Sequence, residues 1–250
     1  IQQSVTYTIT PSANACNGTA VTYTIYVNPA PNILFSSPNQ VICSGTATNL
    51  VSISSSSSPV NFTWNTTYPA TINGLGLVNT GSSSIPAQTF INTTNVPVVI
   101  NFAVSASLSG SVTCPGATAN YLVTVNPPIN ISAVPAATTI CSGANTSIQL
   151  NANVAGTTYT WTVNAPAGIT GSSAASGTLF NQTLVNTTTA PQIVTYTIVG
   201  HTNLNGVPCS STPITQNIQI APAAITQFSL PNQSICSGTQ FQTVFLSSTT

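Results

Sequence analysis

Lysine, arginine, aspartate and glutamate are all absent from this 250-residue sequence. An ordinary soluble domain is about one quarter charged, so the omission removes whole classes of chemistry. Without carboxylates there is no paired-acid hydrolysis. No carboxylate is present to orient a histidine behind a nucleophile, and calcium has no charged oxygen ligand. Without Lys or Arg, no side chain can neutralise phosphates, which excludes nucleic acid as a partner and removes attraction to anionic lipid heads. Lys–Asn isopeptide cross-links are ruled out. The Gly-rich stretch Ile72-Asn73-Gly74-Leu75-Gly76 lacks the Lys of a phosphate loop. One histidine, His201, and no CxxC pair leave zinc a poor reading. Ser, Thr, Asn or Gln breaks every apolar run well short of the ~20 residues of a membrane helix. The expectation is a protein that is not an enzyme, holds no cofactor and does not insert into a membrane.

What is there is 42% hydrophobic, too apolar for the low-hydrophobicity, high-charge composition of a disordered chain. Solubility rests on Ser, Thr, Asn and Gln. Near-zero net charge promotes association, so a surface without repulsion is expected to pack against copies of itself. It is also expected to respond weakly to salt.

The chain repeats. Ile42-Cys43-Ser44-Gly45 recurs as Ile140-Cys141-Ser142-Gly143 and as Ile235-Cys236-Ser237-Gly238, at steps of 98 and 95 residues. Trp64 in VNFTWN matches Trp161 in TYTWTV. Tyr7, Phe102 and Tyr196 occupy one further phase, and Asn28-Pro29 matches Asn126-Pro127. The expected division is the tail of one repeat (1–30), two complete repeats (31–127 and 128–221) and the head of another (222–250), a window on something longer. Proline at the junctions fixes φ and restricts its predecessor, so the links should be short and stiff.

Within a repeat the pattern is β throughout. VTYTI and YTWTV alternate apolar or aromatic residues with Thr, the period-2 signal of a half-buried strand. In the second complete repeat strands are expected near 131–140, 146–154, 157–164, 177–185, 192–200 and 213–220, with a short one near 169–172. That is an immunoglobulin-like sandwich. Trp64, Trp161, Tyr7, Phe102 and Tyr196 are its expected core aromatics, and exposed tryptophans would instead favour sugar stacking. His201 is expected in a turn or hairpin after the VTYTIVG strand.

With a Pro-rich start, ICSG at Cys141, a central Trp161, VTYTI from Val194 to Ile198, Cys209 in the last hairpin and VTVNP ending the previous repeat at Pro127, the whole chain resembles tandem immunoglobulin-like or PKD-like modules of Bacteroidota cell-surface proteins. The resemblance implies an extracellular stalk of a giant adhesin or surface filament, exported by type IX secretion. The chain lacks the acidic residues common in those modules, which puts calcium stiffening in doubt.

Six cysteines, Cys16, Cys43, Cys114, Cys141, Cys209 and Cys236, fall into three pairs each separated by 27 residues. Even number and repeated position in an extracellular setting read as disulfides. In a sandwich, Cys43 and Cys141 follow the first strand at one end of a repeat. Cys114 and Cys209 lie in the last hairpin at the other end, roughly 20 Å or more away. A disulfide needs Cα atoms within about 7 Å. The favoured pair is therefore between repeats, Cys43 with Cys209, with Cys141 bonded beyond Thr250 and Cys114 before Ile1. Pairing within a repeat (Cys43 with Cys114) and pairing at the 27-residue spacing stay open.

The expected function is structural: a rod or surface filament of tandem repeats whose partner is itself, with lateral assembly and pairing of lysine-free strand edges. The alternative is an adhesin module that binds a glycan or another neutral polymer. Nine N-x-S/T sites, at Asn17, Asn61, Asn65, Asn92, Asn130, Asn145, Asn181, Asn186 and Asn232, are largely a product of composition. Rows of Thr on an ice-binding face would need Thr-x-Thr on every neighbouring strand. Here the pattern is strong only on the third and sixth.

Overall fold

The computed structural model describes residues 2–74, 76–109, 113–135 and 138–248. Every regular element among them is a β-strand. The chain divides into two compact units, residues 1–128 and 129–250, each holding one sandwich with its own core.

In the first unit the strand of Trp64, Val60–Thr66, pairs antiparallel with Val98–Leu108, which pairs with Pro115–Asn126. Gln40–Cys43 closes this sheet by lying parallel to Val123–Asn126. A smaller sheet holds Leu34–Phe35, Val51–Ser54 and Ser84–Ile85. The second unit repeats the scheme. Thr158–Asn164, Gln192–Leu204 and Ile214–Ala221 are antiparallel neighbours, and Thr138–Cys141 lies parallel to the last. Ile131–Val134, Ile148–Ala152 and Leu179–Phe180 face them.

Alternation decides which side chains enter the core. In Val98–Leu108, Ile100, Phe102 and Val104 are buried while Asn101, Ala103 and Ser105 face out. Val194, Tyr196 and Ile198 do the same in the second unit. Each such side chain contributes about 1.5–3 kcal/mol on full burial. Trp64 packs edge-on to Phe102 at 5.5 Å, and Trp161 packs against Phe180, which meets Tyr196 at 4.2 Å. The two tryptophans are 3% and 5% exposed. Tyr7 departs from expectation at 52% exposed. Its strand, Gln3–Ile9, pairs with Val21–Val27, and among the described residues no second sheet packs on that hairpin.

Three expected strands change form. Residues 131–140 split into Ile131–Val134 and Thr138–Cys141, which join opposite sheets; Pro135 has no N–H for the ladder, and Ala136 and Ala137 lie outside the described residues. Residues 177–185 become Leu179–Phe180 and Thr183–Asn186 with different partners. The strand from Gln192 runs on to Leu204, turns at Asn205-Gly206, both at positive φ, and returns as Val207–Ser210. Asn-Gly supplies the left-handed pair that a two-residue hairpin demands. His201 is therefore in the first strand of this hairpin, opposite Ser210, the hairpin position of the two expected.

The edges of the main sheets are short. Thr80–Gly81 and Gln40–Cys43 flank the first, Ala175–Ser176 and Thr138–Cys141 the second. Each covers only part of its longer neighbour, Thr80–Gly81 meeting just Trp64 and Asn65 of Val60–Thr66.

Candidate functional site

The cysteines and the loops that hold them are the features each unit repeats most closely. Cys43 ends its strand opposite Asn126, the last residue before the Pro127-Pro128 junction. Cys141 ends its strand opposite Ala221 in the same way. Both therefore sit where the chain leaves the sandwich, the trailing end.

The Ser-Gly that follows each cysteine is stitched down by the same bonds. Ser44 N donates to Asn126 O at 3.1 Å and Gly45 N to Phe90 O at 2.7 Å; Ser142 N donates to Ala221 O at 3.0 Å and Gly143 N to Leu184 O at 2.8 Å. Asn92 and Asn186 complete each loop. Asn92 N donates to Ser44 Oγ at 3.0 Å, and its Nδ2 donates to Val96 O at 2.8 Å and Val125 O at 3.0 Å. Its Oδ1 accepts from Thr94 N and Thr94 Oγ1, both at 2.8 Å, an Asx-turn. Asn186 makes the equivalent set with Ser142, Ala190, Ile220 and Thr188.

These two asparagines are 0% and 4% exposed. They are two of the nine N-x-S/T sites, and burial closes them to modification. Sequence reading passed over their role. The signal was present as Asn-Thr-Thr in phase in both repeats.

Cys114 and Cys209 sit at the opposite, leading end. Cys114 O accepts from Leu108 N at 3.0 Å beside the tip of the long hairpin. Cys209 is buried on Val207–Ser210, opposite Thr202. The first residues of each unit are fastened to this same end. Ala117 N donates to Pro31 O at 3.3 Å, and Asn153 N to Asn130 O at 3.1 Å. Gly200 makes room for the incoming chain; a Cβ there would stand 2.6 Å from Ile131 Cγ2 and 3.4 Å from Ile129 Cγ2.

Register gives the separation. In the second unit Ile220, the neighbour of Cys141's partner, pairs with Gln192, and Cys209 pairs with Thr202. Ten residues of strand at about 3.3 Å each put the two cysteines roughly 33 Å apart. The first unit runs likewise from Val98 to Ser107, next to Cys114. Both exceed the ~7 Å reach of a disulfide by far, so each unit keeps its two cysteines from pairing with one another. Cys43 and Cys209 are each disulfide-bonded. Cys16, Cys114, Cys141 and Cys236 carry free thiols.

The other expected site residues have structural surroundings. Trp64 Nε1 donates to Ser84 O at 2.8 Å. Tyr196 OH donates to Gln182 Oε1 at 2.8 Å, and burial pushes its phenol up to about 12. His201 lies between Thr160 Oγ1, 2.9 Å from Nε2, and Ser210 Oγ, 3.0 Å from Nδ1. Through these two hydroxyls the ring joins side chains of three strands, Thr158–Asn164, Gln192–Leu204 and Val207–Ser210.

The family model for the PKD-like domain matches residues 1–31, 40–128 and 138–224. No curated protein matches the chain. Mouse cadherin-23 EC22-24 is similar over 89% of this chain and 78% of its own, at 14% identity and a TM-score of 0.39. Drosophila N-cadherin EC1-4 is similar over 99% and 68%, at 12% identity and a TM-score of 0.29. The fibronectin(III)-like modules of Clostridium thermocellum CbhA are similar over 76% and 95%, at 13% identity and a TM-score of 0.27.

Proposed function

The chain belongs to the PKD-like domain family, and from that premise we propose that it is a structural segment of an extracellular rod or surface filament, stiffened by disulfides between successive repeats. The repeats run 31–127 and 128–221, flanked by parts of two others. The observation that carries this reading is the placement of cysteines at opposite ends of each sandwich. A trailing-end cysteine cannot reach the leading-end cysteine of its own repeat, but the next repeat presents one at the junction. The proposed staple is Cys43 with Cys209, the two residues that are disulfide-bonded. The 27-residue pairing would instead join Cys43 to Cys16, which is a free thiol. By the same rule Cys141 and Cys114, free within this chain, would each pair with a cysteine of a further repeat. The resemblance to Bacteroidota surface repeats supports a stalk or filament exported by type IX secretion.

The junctions add stiffness of their own. Proline holds φ at Pro127 and Pro128, and the chain is tied down on both sides, at Asn126 by Ser44 and at Asn130 by Asn153. Glycan binding is the weaker reading, since both tryptophans are buried in the cores.

Unreduced digestion with a protease that cuts after aromatic residues, followed by mass spectrometry, tests the staple. A peptide containing Cys43 bonded to one containing Cys209 is the expected product. Cys43 bonded to Cys114, or to Cys16, overturns it.

A further inference from the structure

Absence of charge selects partners, and the outward face of the main sheet is a flat surface on which it can act. In the second unit the strands Thr158–Asn164, Gln192–Leu204 and Ile214–Ala221 turn alternate residues away from the core. Their register lines these into rows, Asn164–Thr195–Asn217 and Thr162–Thr197–Thr215. In the first unit Thr63–Ser105–Thr118 forms the corresponding kind of row. Neighbours within the face already satisfy one another: Thr195 Oγ1 donates to Asn217 Oδ1 at 2.8 Å, and Thr160 Oγ1 lies 2.9 Å from His201 Nε2. Aliphatic side chains also stand on this face, Val99 and Ile193 being 51% and 56% exposed and Leu122 and Val199 half-buried beside Asn101 and Thr160.

We propose that this face is the lateral contact between filaments and that its mate is the same face of a second copy of this chain; the proposal rests on the rod reading above. The argument is one of exclusion. An ordinary protein surface laid here would bury Lys, Arg, Asp or Glu against a face with no counter-charge. Each such group costs several kcal/mol when it is desolvated unpaired. A second copy brings none. Specificity then comes from what the face rejects, and a two-fold, isologous contact lets one patch serve both partners.

Hydroxyls and amides partnered within the face lose less on contact than free ones. Strand addition at the sheet edges would have to displace or extend the short outer strands, two to four residues long, and is read by the same test as association that the face variant leaves unchanged. A neutral glycan also escapes the charge penalty, but stacking needs an exposed ring, and these rows carry none.

The test is sedimentation of the oxidised 250-residue chain over a wide concentration range, at low and high salt. Three versions are compared: wild type, a face variant (Thr162→Lys, Thr197→Lys, Thr215→Lys), and a loop variant of equal charge (Ala155→Lys, Ala174→Lys, Thr189→Lys). All three must give the same circular dichroism spectrum. The expected result is a weight-average mass that at least doubles with concentration for wild type and the loop variant, in both salts, while the face variant stays monomeric. Equal behaviour of the face and loop variants overturns the proposal, because charge as such and not this face is then responsible. A wild type that stays monomeric also overturns it, and retention of that monomer on a cellulose or dextran column would reassign the face to a glycan. Small-angle scattering of the monomer reads the rod separately. An extended, stiff particle that does not associate sinks the lateral contact alone, whereas a flexible string sinks the rod.

Discussion

The side chain of Asn92 is bonded to the backbone of Val125, its Nδ2 donating to Val125 O at 3.0 Å, and Asn186 holds Ile220 O at the same distance. Each bond ties the Asn-Thr-Thr segment to the last long strand of its unit, Pro115–Asn126 or Ile214–Ala221, just where the cysteine loop also docks. Asn92→Ala would remove the side-chain donor to the buried Val125 O, while Val96 O keeps Thr94 Oγ1. The expected loss is about 1–3 kcal/mol, read as a lower urea midpoint. Asn61→Ala, at an exposed N-x-T site, should change the midpoint little. Equal effects from the two would mean the clasp adds nothing.

Stability should hardly depend on acidity, since no carboxylate exists to protonate in acid. The alkaline side differs. Burial raises the Tyr196 phenol from 10.0 to about 12, so the fold keeps a proton that the unfolded chain gives up. Its contribution is whole below 10 and is lost as pH climbs through about 12. Chemical denaturation across that window should show the decline, and Tyr196→Phe should shrink it while costing about 1 kcal/mol from the lost bond to Gln182.

Cys43→Ser and Cys209→Ser should each remove about 3–5 kcal/mol in the chain-entropy view. The double variant should be no worse than either, because one bond is lost in all three cases. Additive losses would mean that the two cysteines do not share a bond.

Gly200→Val tests the anchorage of the incoming chain. A Cβ already stands 2.6 Å from Ile131 Cγ2 and 3.1 Å from Thr157 Cγ2, so a branched side chain displaces the leading segment. The expected cost is about 1–3 kcal/mol, with faster hydrogen exchange at Asn153, whose amide bonds Asn130 O. Unchanged exchange there would count against this role for Gly200.

Much of the architecture was legible because alternation is a direct image of a two-faced sheet: Phe102, Tyr196, Trp64 and Trp161 could be assigned inward from their neighbours alone. What escaped reading depended on pairing partners. The break at Pro135 sends two halves of one apolar run to opposite sheets, and local pattern does not say which sheet a residue joins. The sequence left His201 between a turn and a hairpin, because Gly200 before it is required by a close approach of Ile131 that no local pattern shows. The ends that carry the cysteines followed correctly from counting strands. The asparagine clasp did not, since Asn-Thr-Thr in a chain this rich in both residues is hidden by its own composition.

Cysteines at opposite ends of each sandwich also define how a pull would travel. Under the proposed staple, tension arriving at Cys43 crosses a single sulfur–sulfur bond to Cys209 and bypasses residues 44–208. Those sandwiches then unfold without lengthening the tether. Beyond Cys209 only the stretch to Cys236 is under load before the next trailing-end cysteine takes over. The recurring 27-residue interval is thus the extensible part of the chain, one short junction for every two repeats, and the rest is cargo carried beside a covalent cable.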